Sequence, residues 1–252
     1  MSHEKVVCIT GASGGIGGAL SRAFHGAGHR VLLVGRRASK LREIQAELGV
    51  ERTECLELDL TDEAQIRTAF EGRQVDVLVN NAGIAISAPL LKGGDLYRQH
   101  MDVNFHGPRL LMEALLPGML SSGHGYIVQI ASSAALVGYA YTAAYAASKH
   151  ALLGYTRSAA LELGSKGIRF VTICPHFVDS PMTDQSVARI QETTGLSAEE
   201  ARARLAHMNP DGELVSPQQI ATVALAGLER PAAHTLLELT GREIHEVPEA
   251  RP

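Results

Sequence analysis

A chain of 252 residues, 45% hydrophobic and 20% charged, can supply one α/β domain that buries both faces of a sheet and is too apolar for a disordered chain. A formal net charge of −4 and a pI near 6.3 lack the basic excess that nucleic-acid backbones require, so no such partner is expected. No apolar run approaches the ~20 residues of a membrane span, and Met1-Ser2-His3-Glu4-Lys5 carries no signal-like core, so a cytoplasmic protein without a membrane partner is expected.

Along the chain, apolar β-branched runs alternate with amphipathic helical stretches. Strands are expected at 6–9, 31–34, 55–58, 75–79, 126–130 and 169–173, with helices at 15–27, 41–48, 63–70, 96–116 and 145–163. Strands that are apolar on both sides and separated by helices predict a parallel sheet covered on two faces. The fold class is therefore α/β: a single-domain, Rossmann-type doubly wound parallel sheet of about seven strands, spanning 1–252. Residues 183–207 read as an irregular helical insertion, too long for an ordinary connection, within a substrate-side segment at about 180–210. Ser216-Pro217 can cap a helix running to Leu228, and either 234–239 or 243–247 can supply the last strand. Cys8, Cys55 and Cys174 are odd in number and lie in strand-like surroundings, which reads as buried thiols and not as a disulfide or metal site.

The first strand runs into Thr10-Gly11-Ala12-Ser13-Gly14-Gly15-Ile16-Gly17-Gly18 and then a helix. Residues without side chains let backbone N–H groups and a helix N-terminus approach a phosphate. At the end of the second strand, where an NAD-type site presents a carboxylate, this chain has Gly35-Arg36-Arg37. Guanidinium groups suit a 2′-phosphate, so NADP(H) is favoured over NAD(H). Asp59 can cap a helix starting near Thr61, and Asn80-Asn81-Ala82-Gly83 is a polar turn after the fourth strand.

Tyr145-Ala146-Ala147-Ser148-Lys149 puts a phenol and an ammonium on one helical face. A neighbouring cation and an oxidised nicotinamide both favour the phenolate, and a downward shift of about 3 units would need roughly 4 kcal/mol. Chance alone gives such a pair in about one chain in ten of this composition. Order and distance add the weight: Ser132 lies thirteen residues before Tyr145, after the 126–130 strand.

Thr10-Gly11-x-x-x-Gly15-Ile16-Gly17, Asn80-Asn81-Ala82-Gly83, Asn104, Ser132, Tyr145 and Lys149 occur in one order that resembles the short-chain dehydrogenase/reductase family, 3-oxoacyl and polyketide ketoreductases among them. The resemblance implies an NADP(H)-dependent oxidoreductase that moves a hydride between nicotinamide and a ketone, secondary alcohol or acyl thioester. It casts Tyr145 as general acid/base, Ser132 as substrate anchor, Lys149 as the cation, and Asn104 as the holder of a water beside the lysine. It assigns the cofactor to Gly11, Ser13, Gly14, Gly15, Ile16, Gly17, Arg36, Arg37, Asp59, Leu60, Asn81, Ala82, Gly83, Tyr145, Lys149, Pro175, Val178 and Ser180, and implies a homotetramer or homodimer. A catalytically silent NADP sensor on the same scaffold is the alternative.

Two departures stand out. Pro175-His176 replaces the family's Pro-Gly, leaving the role of His176 open, and Pro248-Glu249 replaces the familiar tail. Apolar pocket walls are expected from Leu136, Val137, Tyr139, Tyr141, Phe177 and Met182, with Arg98 the one conceivable carboxylate anchor.

Overall fold

The structure, a computed structural model, describes residues 4–248, so the tail from Glu249 onward lies outside the described residues. Strand β1 (Val6–Thr10) is followed by α1 (Gly15–Gly26), β2 (Arg30–Gly35), α2 (Ala38–Leu48), β3 (Thr53–Glu57), α3 (Glu63–Phe70) and β4 (Val77–Asn80). Next come α4 (Leu96–Met101), α5 (Gly107–Ser122), β5 (Gly125–Ile130), α6 (Ala143–Leu163) and β6 (Ile168–Pro175). The chain continues with α7 (Pro181–Thr194), α8 (Ala198–Ala206), α9 (Pro217–Gly227), β7 (His234–Leu239) and β8 (Ile244–Glu246).

The sheet order is β3-β2-β1-β4-β5-β6-β7-β8. All pairs are parallel except β7–β8. Both stretches that competed for the last strand are therefore used, and the described sheet has eight strands, not about seven. They pair because the turn after Leu239 folds one back on the other, with Leu239 opposite Ile244.

Alternation along each strand sends side chains to two cores. On one face Val7, Ile9, Val31, Leu33, Val128 and Ile173 pack against Leu20 and Phe24 of α1 and Ile220 and Ala224 of α9. On the other, Cys8, Leu32, Leu78, Ile127 and Phe170 meet Ile66 of α3, Leu111 and Met112 of α5, and Ala160 of α6. Each such fully buried aliphatic side chain contributes about 1.5–3 kcal/mol. Among the described residues no helix is long and apolar enough to cross a membrane.

The insertion is more regular than its composition suggests: α7 and α8 form a helical pair closed by Val187, Ala201 and Leu205, with Phe177 and Ile190 against them. A capping box at Ser197 and Glu200 starts α8. The expected helix over 96–116 is broken into α4, a π-helical turn at Asp102–His106, and α5. Pro108 explains the widening in part, since it has no N–H to offer the Asn104 carbonyl four residues back. Cys8 and Cys174 are buried, but Cys55 is only half-buried because β3 lies at the sheet's edge. Desolvation pushes the Cys8 and Cys174 thiols up to about 12.

Candidate active site

The strand order reverses direction between β1 and β4, and ligands of open α/β sheets bind at the carboxyl ends of strands at such a point. Here the turn from Gly11 to Gly14 meets the end of β4. Asn81 donates from Nδ2 to the Thr10 carbonyl (2.8 Å), while the Asn81 and Ala82 amides both donate to Thr10 Oγ1 (3.0 Å each). Asn81 thus ties two strand ends together. Gly11 takes φ +64°, and a Cβ there would lie 3.0 Å from the Ala82 Cα.

Gly17 is the tightest position: a Cβ would stand 2.1 Å from the Gly11 oxygen. The helix can start this close to the turn only because no side chain intervenes. At Gly14, the N-cap of α1, no side chain caps the first turn, so its N–H groups remain available to an anion. Ser13 lies beside Gly35, with Oγ 3.8 Å from where a Gly35 Cβ would be. Ile16 packs onto the core, and Ser180-Pro181 rests against Gly15, with Pro181 Cδ 3.1 Å from a Cβ built there. Val178, two residues earlier, bridges to Val215. These contacts match a cradle for a pyrophosphate.

Arg36 and Arg37 are exposed at the end of β2. Asp59 accepts from the Thr61 amide and hydroxyl (2.9 Å each); the amide, then the hydroxyl and the Arg36 charge, hold its carboxyl low against the opposing effect of burial. The cap of α3 is Asp62, not Asp59: its carboxylate accepts from the Gln65 amide at 3.0 Å. Leu60 is buried. It closes against Gly107, where a Cβ would come within 2.9 Å of the Leu60 Cβ.

Tyr145 and Lys149 occupy successive turns of α6 on one face, with Nζ 5.9 Å from the phenol centroid. Lys149 is 4% exposed and donates to the Ile130 carbonyl at 3.0 Å. Ser132 faces the Tyr145 phenol closely enough to favour its charged form, and its Oγ accepts from the Ala134 amide at 3.1 Å. Ser133 is buried and accepts from the Tyr139 hydroxyl (2.9 Å), so Ser132 is the hydroxyl left facing Tyr145.

The electrostatics differ from the sequence-based expectation. Burial pushes the Tyr145 phenol up, opposed by the Ser132 hydrogen bond, and pushes the Lys149 ammonium down to about 8. Desolvation is the largest cause for both groups, and it disfavours the charged form of each. The phenol is therefore protonated at neutral pH.

Asn104 is fully buried, accepting from the Ile84 amide (2.8 Å) and donating to the Ile84 carbonyl (2.9 Å) and Ser148 Oγ (3.0 Å). Ser148, which sequence reasoning passed over, donates in turn to the Tyr145 carbonyl at 2.7 Å and so links the asparagine to the tyrosine's helix. Its signal was its place between Tyr145 and Lys149. Gly83 fits closely here: a Cβ would sit 3.1 Å from Asn104 Oδ1 and 3.6 Å from Lys149 Nζ.

Pro175 ends β6 opposite Leu239. His176 Nε2 lies 2.8 Å from Glu238 Oε1, an interaction that accounts for a polar residue at this position. Of the six expected wall residues, Val137, Tyr141 and Met182 are exposed. Leu136 and Phe177 instead pack into small clusters, and Tyr139 is spent on Ser133. Arg98 is exposed on α4.

The sequence model of a family described as short chain dehydrogenase matches residues 5–191. Dehydrogenase/reductase SDR family member 7B of Danio rerio is 35% identical over 199 residues, covering 73% of this chain and 64% of that protein. The chain thus spans slightly less than two thirds of that relative. Granaticin polyketide synthase putative ketoacyl reductase 1 of Streptomyces violaceoruber is 32% identical, covering 87% of this chain and 85% of its own. Among solved structures, an actinorhodin polyketide ketoreductase variant with NADPH superposes with a TM-score of 0.88 at 29% identity, over 94% of this chain and 96% of that one.

Proposed function

The chain belongs to the short-chain dehydrogenases, and from that premise we propose that it is an NADP(H)-dependent carbonyl reductase or alcohol dehydrogenase in which Tyr145 exchanges the proton. The observation that carries this reading is the convergence of Tyr145, Ser132 and Lys149 at the carboxyl ends of the strands, next to the glycine cradle.

The cradle fits a dinucleotide: uncapped N–H groups at α1 for the pyrophosphate, and Arg36 with Arg37 for a 2′-phosphate. When bound, the reduced nicotinamide supplies hydride to the carbonyl carbon. The chain's own residues handle the oxygen. Ser132, its oxygen already accepting from the Ala134 amide, keeps a hydrogen to offer the substrate oxygen. Tyr145, kept protonated by burial, gives its proton to that oxygen as the alcohol forms. Lys149 stabilises the phenolate left behind. The Asn104 carbonyl, to which Pro108 has no N–H to offer, is suited to hold a water through which the proton is replaced.

Walls contributed by Val137, Tyr141 and Met182 favour bulky apolar ketones, with acyl thioesters in the same size class. Ketones and acyl thioesters assayed by nicotinamide absorbance, with NADPH and NADH side by side, test the reading; no turnover of any substrate with either nucleotide would refute it. In the same assay Arg36→Ala should weaken NADPH about 10- to 100-fold and leave NADH within about twofold, as expected for one charge-assisted contact. Equal losses would remove the 2′-phosphate role. Assembly as a dimer or tetramer through the helices around Asn104 and Tyr145 belongs to this reading; a monomer in light scattering would end it.

A further inference from the structure

Along the backbone between Ile84 and Ala88, alternate amides are each taken by a different partner. The Ile84 amide goes to Asn104 Oδ1 (2.8 Å), the Ile86 amide to His100 Nε2 (3.0 Å), and the Ala88 amide to the Tyr141 carbonyl (2.9 Å). Asn104 and His100 stand one helical turn apart, so a single helical face holds both bonds. Tyr141 takes φ +66°, a left-handed conformation that is costly outside glycine. The clasp thus includes the one strained non-glycine residue among those described.

His100 occupies the middle of this ladder. Its side chain is fully buried, and Nδ1 lies 2.7 Å from the Leu96 carbonyl. A carbonyl only accepts and an amide only donates, so the two partners fix the ring as the neutral tautomer with hydrogen on Nδ1 and a bare Nε2. The same ring lies edge-on to Tyr145, with centroids 6.0 Å apart and planes at 66°. His100 therefore contacts at once the 84–88 backbone and the ring of Tyr145.

We propose that His100 is a positioning residue: as the neutral Nδ1–H tautomer it clasps the 84–88 backbone against the site and braces the Tyr145 ring, and protonation of the imidazole opens the clasp. A proton on Nε2 would turn an acceptor into a donor facing the Ile86 N–H, two donors with nothing between them. The titratable group facing the ring from α6 is Tyr145; residues 84–88 carry no charged side chain. On the ring's own helix the nearest charged residues in sequence are Arg98, which is exposed, and Asp102, in the π-turn. Among the described residues no carboxylate hydrogen-bonds the imidazole to favour its charged form. The bracing of Tyr145 rests on the proton-donor reading of that residue; the clasp itself does not.

Two variants separate the roles. His100→Phe keeps a ring against Tyr145 and removes the acceptor; His100→Gln can present an amide oxygen to Ile86 and does not titrate. Amide exchange of segment 84–88, followed by mass spectrometry at matched pH, should quicken about tenfold or more in His100→Phe and stay near the parent rate in His100→Gln. As pH is lowered, the parent chain should lose protection there relative to His100→Gln. With an accepted ketone and NADPH, kcat/KM should fall about tenfold in His100→Phe, and the acid-side loss of the parent should be blunted in His100→Gln. Unchanged exchange in His100→Phe, or an identical pH response in the parent and His100→Gln, would overturn the proposal. Exchange that behaves as expected in a chain that turns over no ketone would support the clasp and count against the redox reading alone.

Discussion

Replacing Tyr145 by Phe should lower turnover at least 10³-fold while leaving NADPH affinity within about threefold of the parent, read by stopped-flow absorbance and by fluorescence titration of the nucleotide. The size follows from what is removed. Phenylalanine keeps the ring, so the edge contact with His100 and the proximity to Lys149 survive, and only the hydroxyl facing Ser132 is lost. Hydride arriving at the carbonyl carbon would then leave an alkoxide with no nearby proton, and Ser132 alone, with an ordinary hydroxyl, is a far weaker acid than the phenol. Turnover within tenfold of the parent would show that another group supplies the proton.

Lys149→Met should abolish turnover and yet raise stability. The buried ammonium titrates at about 8 in the folded protein and at the ordinary 10.5 when unfolded. The fold therefore disfavours the charged form, and the penalty is fully present below pH 8 and fades as pH rises through the unfolded value. That difference amounts to about 3 kcal/mol at pH 7 and about 1 kcal/mol at pH 10. A methionine of similar length should recover most of it, raising Tm by roughly 5 °C at pH 7 and much less at pH 10. A variant less stable than the parent at pH 7, or a gain that grows with pH, would contradict the account. The trade is the usual one for a site whose chemistry needs a charge where the fold would prefer none.

Much of this architecture can be read from the sequence, for identifiable reasons. Strands such as 31–34 and 126–130 are apolar on both faces, so neither their type nor their burial is ambiguous. Gly11 and Gly17 are legible because close backbone approach leaves glycine as the residue that fits. The count of final strands is not legible, since 234–239 and 243–247 are equally plausible singly and only the turn between them makes both pair. Asp59 and Asp62 both suit a helix cap by type; the position of the first turn, set by packing of Ile66 and Phe70, chose Asp62.

The charges were harder. Spacing places Tyr145 and Lys149 side by side, but the depth at which α6 meets the sheet decides whether attraction or desolvation governs them, and depth is a property of the assembled layers. His100 was invisible for a related reason. A lone histidine on an amphipathic stretch carries no pattern, and its partner Ile86 contributes only a backbone amide.

The π-turn at Asp102–His106 carries one residue more than an α-helical turn of the same height, so the helices on either side of it are out of phase by about 100°. The stripe of α5 that buries Leu111, Met112, Leu115 and Met119 in the sheet is thereby freed from the stripe that aims His100 and Asn104 at the pocket. In a continuous helix one rotation would have to serve both, and any repacking of the core would swing the two side chains with it. The extra residue works as a phase joint, letting the scaffold settle its packing while the reactive face keeps its own orientation.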